Sequence, residues 1–86
     1  MKTSTLFQQA LSEVPKDLKI QIDLSFALAD KLDAILNEKG LSQKEFAKMI
    51  GKTEAEVSRW LGGTHNFTLK TIAKISSVLN VDLISV

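Results

Sequence analysis

Cysteine is absent, which excludes disulfides, thiol nucleophiles and cysteine-ligated metals. Histidine occurs once, at His65, so a site that needs two imidazoles is excluded. Proline also occurs once, at Pro15, and glycine only four times, at Gly40, Gly51, Gly62 and Gly63. No apolar run approaches the roughly 20 residues that a membrane helix requires. One early lysine followed by polar residues does not make a secretory leader, so a cytoplasmic location and no membrane partner are expected. A large charge of one sign is missing too. The net is +1, so the total does not announce a nucleic-acid domain. The distribution says more: residues 1–41 hold five lysines and six acids, and residues 42–86 hold six Lys/Arg and four acids. The second half has the sign that suits phosphate.

What remains is ordinary globular composition, 44% hydrophobic and 24% charged, which argues against a disordered chain. Its 86 residues make one domain. A domain of this size buries only about 60% of its unfolded surface, so a partner subunit is a natural source of further stability.

Few breakers among many Leu, Ala, Lys and Glu favour an all-α fold. Residues 4–13 are expected to form a first helix, with Leu6, Phe7, Ala10 and Leu11 on one side and Ser4 as its cap. Pro15 suits the first turn of the next helix. Residues 18–24 read two ways. Leu18, Ile20, Ile22 and Leu24 alternate like a strand, yet Leu24, Ala27, Leu28, Lys31, Leu32, Ile35 and Leu36 follow at helical spacing. A helix over about 16–38, stopped by Gly40, is preferred; if 18–24 is extended, Ser25 caps a shorter one. Ser42-Gln43-Lys44-Glu45 reads as a capping box, with Leu41 and Phe46 as its hydrophobic staple. Phe46, Ala47 and Ile50 face inward and Gly51 ends that helix. Thr53 and Glu56 repeat the box before Val57, Trp60 and Leu61, and Gly62-Gly63 stops the helix. After a loop at 64–67, Thr68 caps a helix of about 69–79, apolar at Leu69, Ile72, Ala73, Ile75 and Leu79, with Asn80 as left-handed cap. Residues 81–86 alternate and predict a short β-strand, which needs a hairpin mate or a copy from another chain. The expected architecture is a bundle of about five helices: an N-terminal helical arm, 1–14; a helix–turn–helix domain, 15–80; and a strand or tail, 81–86.

The helices 42–50 and 54–61, joined by Gly51-Lys52-Thr53, have the form of a helix–turn–helix. Ala47 is small where the two would cross, Gly51 permits a left-handed turn, and Val57 anchors the second helix. The run Leu41-Ser42-Gln43-Lys44-Glu45-Phe46-Ala47-Lys48-Met49-Ile50-Gly51, followed by Val57-Ser58-Arg59-Trp60-Leu61-Gly62-Gly63, resembles the lambda-repressor-like, Cro/C1-type (XRE) helix–turn–helix family. The stretch from Gly63 through Thr64, His65, Asn66, Phe67, Thr68 and Leu69 to Ile75 is similar to a branch found among HigA-type antitoxins. The resemblance covers about residues 25–80. It implies a dimeric transcriptional repressor and, for the antitoxin branch, repression of its own operon and binding of a neighbouring toxin, often one that cleaves RNA.

The same resemblance implies roles for residues. Gln43 stands where family members contact backbone phosphate, and Thr53, Glu54 and Ala55 where the recognition helix meets bases or adjacent phosphates. Ser58 and Arg59 follow one turn on, Arg59 at a position that often reads a base edge. Glu54 and Glu56 depart from the family, where neutral or basic residues are common; carboxylates near phosphate repel unless they pair or accept from cytosine. Each role has a plainer counterpart. Arg59 either forks onto guanine or pairs with Glu56 on its own helix. Gln43 either meets phosphate at a helix start or is an exposed helix former. Thr53 is explained by its cap alone, Ser58 by an exposed surface, and Glu54 by the helix dipole. Lys44, with Lys48, Lys52 and Lys70, either flanks the groove or is simply solvated. Thr64, His65, Asn66 and Thr68 lie in or beside the loop that the family docks near the DNA backbone. His65 has no partners for metal or catalytic work, and its plain reading is a loop histidine bonded to backbone. Trp60 and Phe67 either stack on unpaired bases or, as preferred, pack helix junctions.

Three function classes follow. The first is a sequence-specific repressor of double-stranded DNA, antitoxin-like and autoregulatory, a homodimer joined through the N-terminal helix or the terminal strand Leu83–Val86. The second is a protein-binding module that neutralises a toxin, with weak or no DNA binding of its own. The third, an enzyme, lacks a metal set, a phosphate loop or a catalytic pair, so no enzymatic activity, cofactor or metal is expected.

Overall fold

The structure, a computed structural model, describes residues 14–86. Four helices follow one another: α1 (Lys16–Lys39), α2 (Gln43–Ile50), α3 (Glu54–Leu61) and α4 (Leu69–Leu79). The expected first helix, 4–13, and most of the arm 1–14 lie outside the described residues. The observed bundle therefore has four helices among the described residues rather than about five.

Local chemistry sets each boundary. Pro15 stands just outside α1, at the cap rather than in the first turn, and its carbonyl accepts from the Lys19 amide at 3.1 Å. Residues 18–24 are helical, as preferred over the strand. Ser25 caps nothing: it is buried in the middle of α1, where its hydroxyl donates to the Gln21 carbonyl at 2.9 Å. Gly40 closes α1 with φ at 68°, and the Leu41 amide reaches back to the Leu36 carbonyl at 2.9 Å. Gly51 closes α2 the same way, the Lys52 amide donating to the Ala47 carbonyl at 3.0 Å. Both expected capping boxes form, Ser42 with Glu45 and Thr53 with Glu56. Thr68 caps α4 by accepting from the Thr71 amide, and Asn80 ends it in the left-handed region.

The core joins all four helices. Leu32 and Leu36 of α1 meet Phe46, Ala47 and Ile50 of α2, Val57 and Trp60 of α3, and Ile72, Ile75 and Leu79 of α4. The Phe46 and Trp60 rings meet edge to face with centroids 6.3 Å apart, which ties α2 to α3. Leu41 packs against this core from the turn, as its staple role requires. Leu69 and Ala73, apolar on the outer side of α4, are exposed.

The terminal strand is not formed. Residues 81–86 run as bends and coil. No described residue offers them a mate, and Leu83 turns into the core instead, with 1% of its surface exposed. Its amide donates to the Ser76 hydroxyl at 3.3 Å, which satisfies the backbone without a ladder.

Candidate nucleic-acid interface

Helix α3 is eight residues long, about 12 Å. On a helical wheel Glu54, Ser58, Ala55 and Arg59 fall in one half, and Glu56, Trp60, Val57 and Leu61 in the other. The structure respects that division. Val57 is fully buried and Trp60 nearly so, whereas Glu54, Ala55, Ser58 and Arg59 are exposed. Helix α2 braces α3 through Ala47, whose small buried side chain permits the close crossing, and through the Phe46–Trp60 contact.

The caps hold the turn and fix the position of two carboxylates. The Glu45 carboxylate accepts from the Ser42 amide and the Glu56 carboxylate from the Thr53 amide, both at 3.1 Å. The Ser42 backbone N–H, helped by the Ser42 hydroxyl, holds the Glu45 carboxyl below its ordinary pKa. Glu56 therefore serves the cap and sits on the inner half of α3. Of the two acids that depart from the family pattern, Glu54 alone lies on the outward half.

Gln43 and Lys44 open α2 and are exposed, with Lys48 one turn further on. The capping boxes occupy the Glu45 and Glu56 amides, so the amides of Gln43 and Lys44, and of Glu54 and Ala55 on α3, are the first-turn donors left to meet an anion. Thr53, Glu54 and Ala55 occupy the equivalent place at the start of α3, and Lys52 is exposed in the turn between. Gln43, Lys44, Thr53, Glu54, Ala55, Ser58 and Arg59 are thus brought to the two helix starts and the outward side of α3.

The loop after α3 divides. Thr64 is exposed. His65 is half-buried: its ring stands edge-on to Phe67 at 5.0 Å and tilted against Trp60 at 6.3 Å. The expected backbone bond of His65 gives way to this aromatic packing. Asn66 is exposed but lines a separate groove with Phe67, away from the outward side of α3. Trp60 and Phe67 pack inward as preferred, but sequence reasoning missed that His65 joins them in an aromatic row, although the three rings within eight positions were its signal. It also missed the seat that Gly63 provides for the Phe26 ring, which brings together residues 37 positions apart and has no local signal.

A braced pair of short helices with a polar, exposed second helix defines a helix–turn–helix DNA-binding domain. The family model described as helix-turn-helix matches residues 32–85, more than half of the chain, and the protein belongs to that family, of the Cro/C1 type. It is a DNA-binding transcription regulator. No curated protein and no solved structure matches the chain. No described helix is long and apolar enough to cross a membrane.

Proposed function

We propose that this protein is a sequence-specific repressor of double-stranded DNA, a cytoplasmic homodimer that acts on its own operon in the manner of an antitoxin. The observation that carries the reading is the division of α3: Val57 and Trp60 hold it from within while Ser58 and Arg59 stand free on the outside. One such helix covers few base pairs. Two related by a twofold axis meet half-sites about 34 Å apart, and their affinities combine. Arg59 reads a guanine edge, Ser58 and Ala55 adjoin it, and Gln43, Lys44 and Thr53 set the register on phosphates. Thr64 extends these backbone contacts. The antitoxin role, with a toxin as second partner, rests on the resemblance of residues 63–75.

Electrophoretic shift with the DNA upstream of the gene tests the mechanism. Arg59→Ala should weaken binding to that DNA by about 1–3 kcal/mol and change binding to a scrambled duplex far less. Equal losses on both duplexes would remove base reading by Arg59. A second reading, a toxin-binding module with little DNA affinity, draws on exposed Glu54 at the start of α3. It predicts no shift even at low salt, together with tight binding of a basic protein.

A further inference from the structure

The first half of α1 carries more apolar surface than its own protomer covers. Lys16, Lys19, Asp23 and Asp30 share a wheel sector of about 60°, and Asp17, Gln21 and Ser25 form a second polar line on another side. Leu18, Ile20, Ile22, Leu24 and Phe26 spread around the rest and are all at least 41% exposed, Leu24 the most at 58%. Large apolar side chains left this exposed on one helix mark a surface that a partner covers. One side of it, from Asp17 through Leu24 to Lys31, forms a wall of an apolar groove of about 700 Å³. Phe67 and Ile84 line it as well.

We propose that a second copy of this chain fills the groove, its α1 lying antiparallel on the same wall about a twofold axis at Leu24. The spacing is symmetric about that residue. Ile20 and Leu28 lie four positions to either side, and Asp17 and Lys31 lie seven. In the antiparallel register Leu24 meets Leu24 of the partner subunit. Ile20 meets Leu28 of the partner subunit, and Asp17 meets Lys31 of the partner subunit. An isologous contact needs this self-complementarity, and here the unlike charges at its two ends supply it. Parallel pairing is disfavoured because Asp17 would face its own copy. Gln43, Glu54, Ser58 and Arg59 do not line the groove, so the contact itself uses none of them. The inference rests on the homodimer proposed above and gives it a surface: α1 and the tail, rather than a terminal strand.

Sedimentation of the full chain without DNA reads the assembly alone. Asp17→Lys and Lys31→Asp should each weaken the dimer by about tenfold, since each sets like charges at both ends of the twofold contact. The two together should restore it. Because the chain has no cysteine, Leu24→Cys should yield a linked dimer on mild oxidation. Asp23→Cys, in the polar sector, should not. All four positions are exposed, so these variants keep the protomer's core. A native chain that stays monomeric up to about 100 μM would overturn the proposal, as would a double reversal that fails to restore a dimer lost in the singles. Equal linkage through Leu24→Cys and Asp23→Cys would overturn it too, and would leave the groove to the chain's own first residues or to another protein. A dimer that passes these tests yet shifts no DNA would keep this interface and remove the repressor reading.

Discussion

At Gly63 the backbone turns through φ of 91°, and the Phe26 ring lies where a Cβ would stand. Both facts need glycine there. Gly63→Ala should lower stability by about 2 kcal/mol in urea unfolding, part from the left-handed backbone and part from displacing the ring. In a Phe26→Ala background the penalty should fall to about 1 kcal/mol, the backbone share. An undiminished penalty would mean that the ring yields freely. The glycines that end α1 and α2 were legible from sequence because an αL stop is a local event. The Phe26 seat was not, because it joins α1 to the loop after α3. Glu56 was half legible: its capping geometry could be read, but not that it sits on the inner half of α3, with its carboxylate held against the Thr53 amide.

Each helix boundary is held by a few bonds whose loss can be measured. Ser42→Ala and Thr53→Ala should each cost about 1 kcal/mol, because each leaves a first-turn amide without its acceptor. The Glu45 carboxyl adds a pH signature. Its pKa is lowered in the folded protein because the carboxylate accepts from the Ser42 amide. The stabilisation is therefore complete above the ordinary value of 4.5 and is lost as pH falls through the lowered one. Glu45→Gln should lose that contribution at neutral pH and flatten the acid side of the stability–pH profile, so that the variant and native curves converge in acid, which thermal melts between pH 3 and 7 would read. Element α1 was the ambiguous one. Its first half is apolar at Leu18, Ile20, Ile22 and Leu24, so period two and period 3.6 both find matches there.

Across the whole molecule, contacts between distant residues decide what local patterns leave open. The tail alternates as a strand would, yet it has no mate, and Leu83 enters the core beside α4. Leu83→Ala should therefore cost about 2–4 kcal/mol, as removal of a buried leucine does, and a loss under 1 kcal/mol would deny the tail its place in the core. The outward side of α3 was legible because amphipathic spacing fixes which residues turn away. The groove was not, since its walls come from opposite ends of the sequence. Charge behaves in the same way. A net of +1 offers a distant phosphate backbone almost no attraction, so the proposed DNA contact depends on individual exposed cations such as Lys44 at the start of α2. If Lys44 neutralises one phosphate, Lys44→Gln should reduce the slope of log affinity against log salt by about 0.9. Lys16→Gln, at the far end of α1, changes the net charge equally and should leave that slope as it was. Equal changes for the two variants would mean that total charge, rather than the helix–turn–helix surface, governs binding.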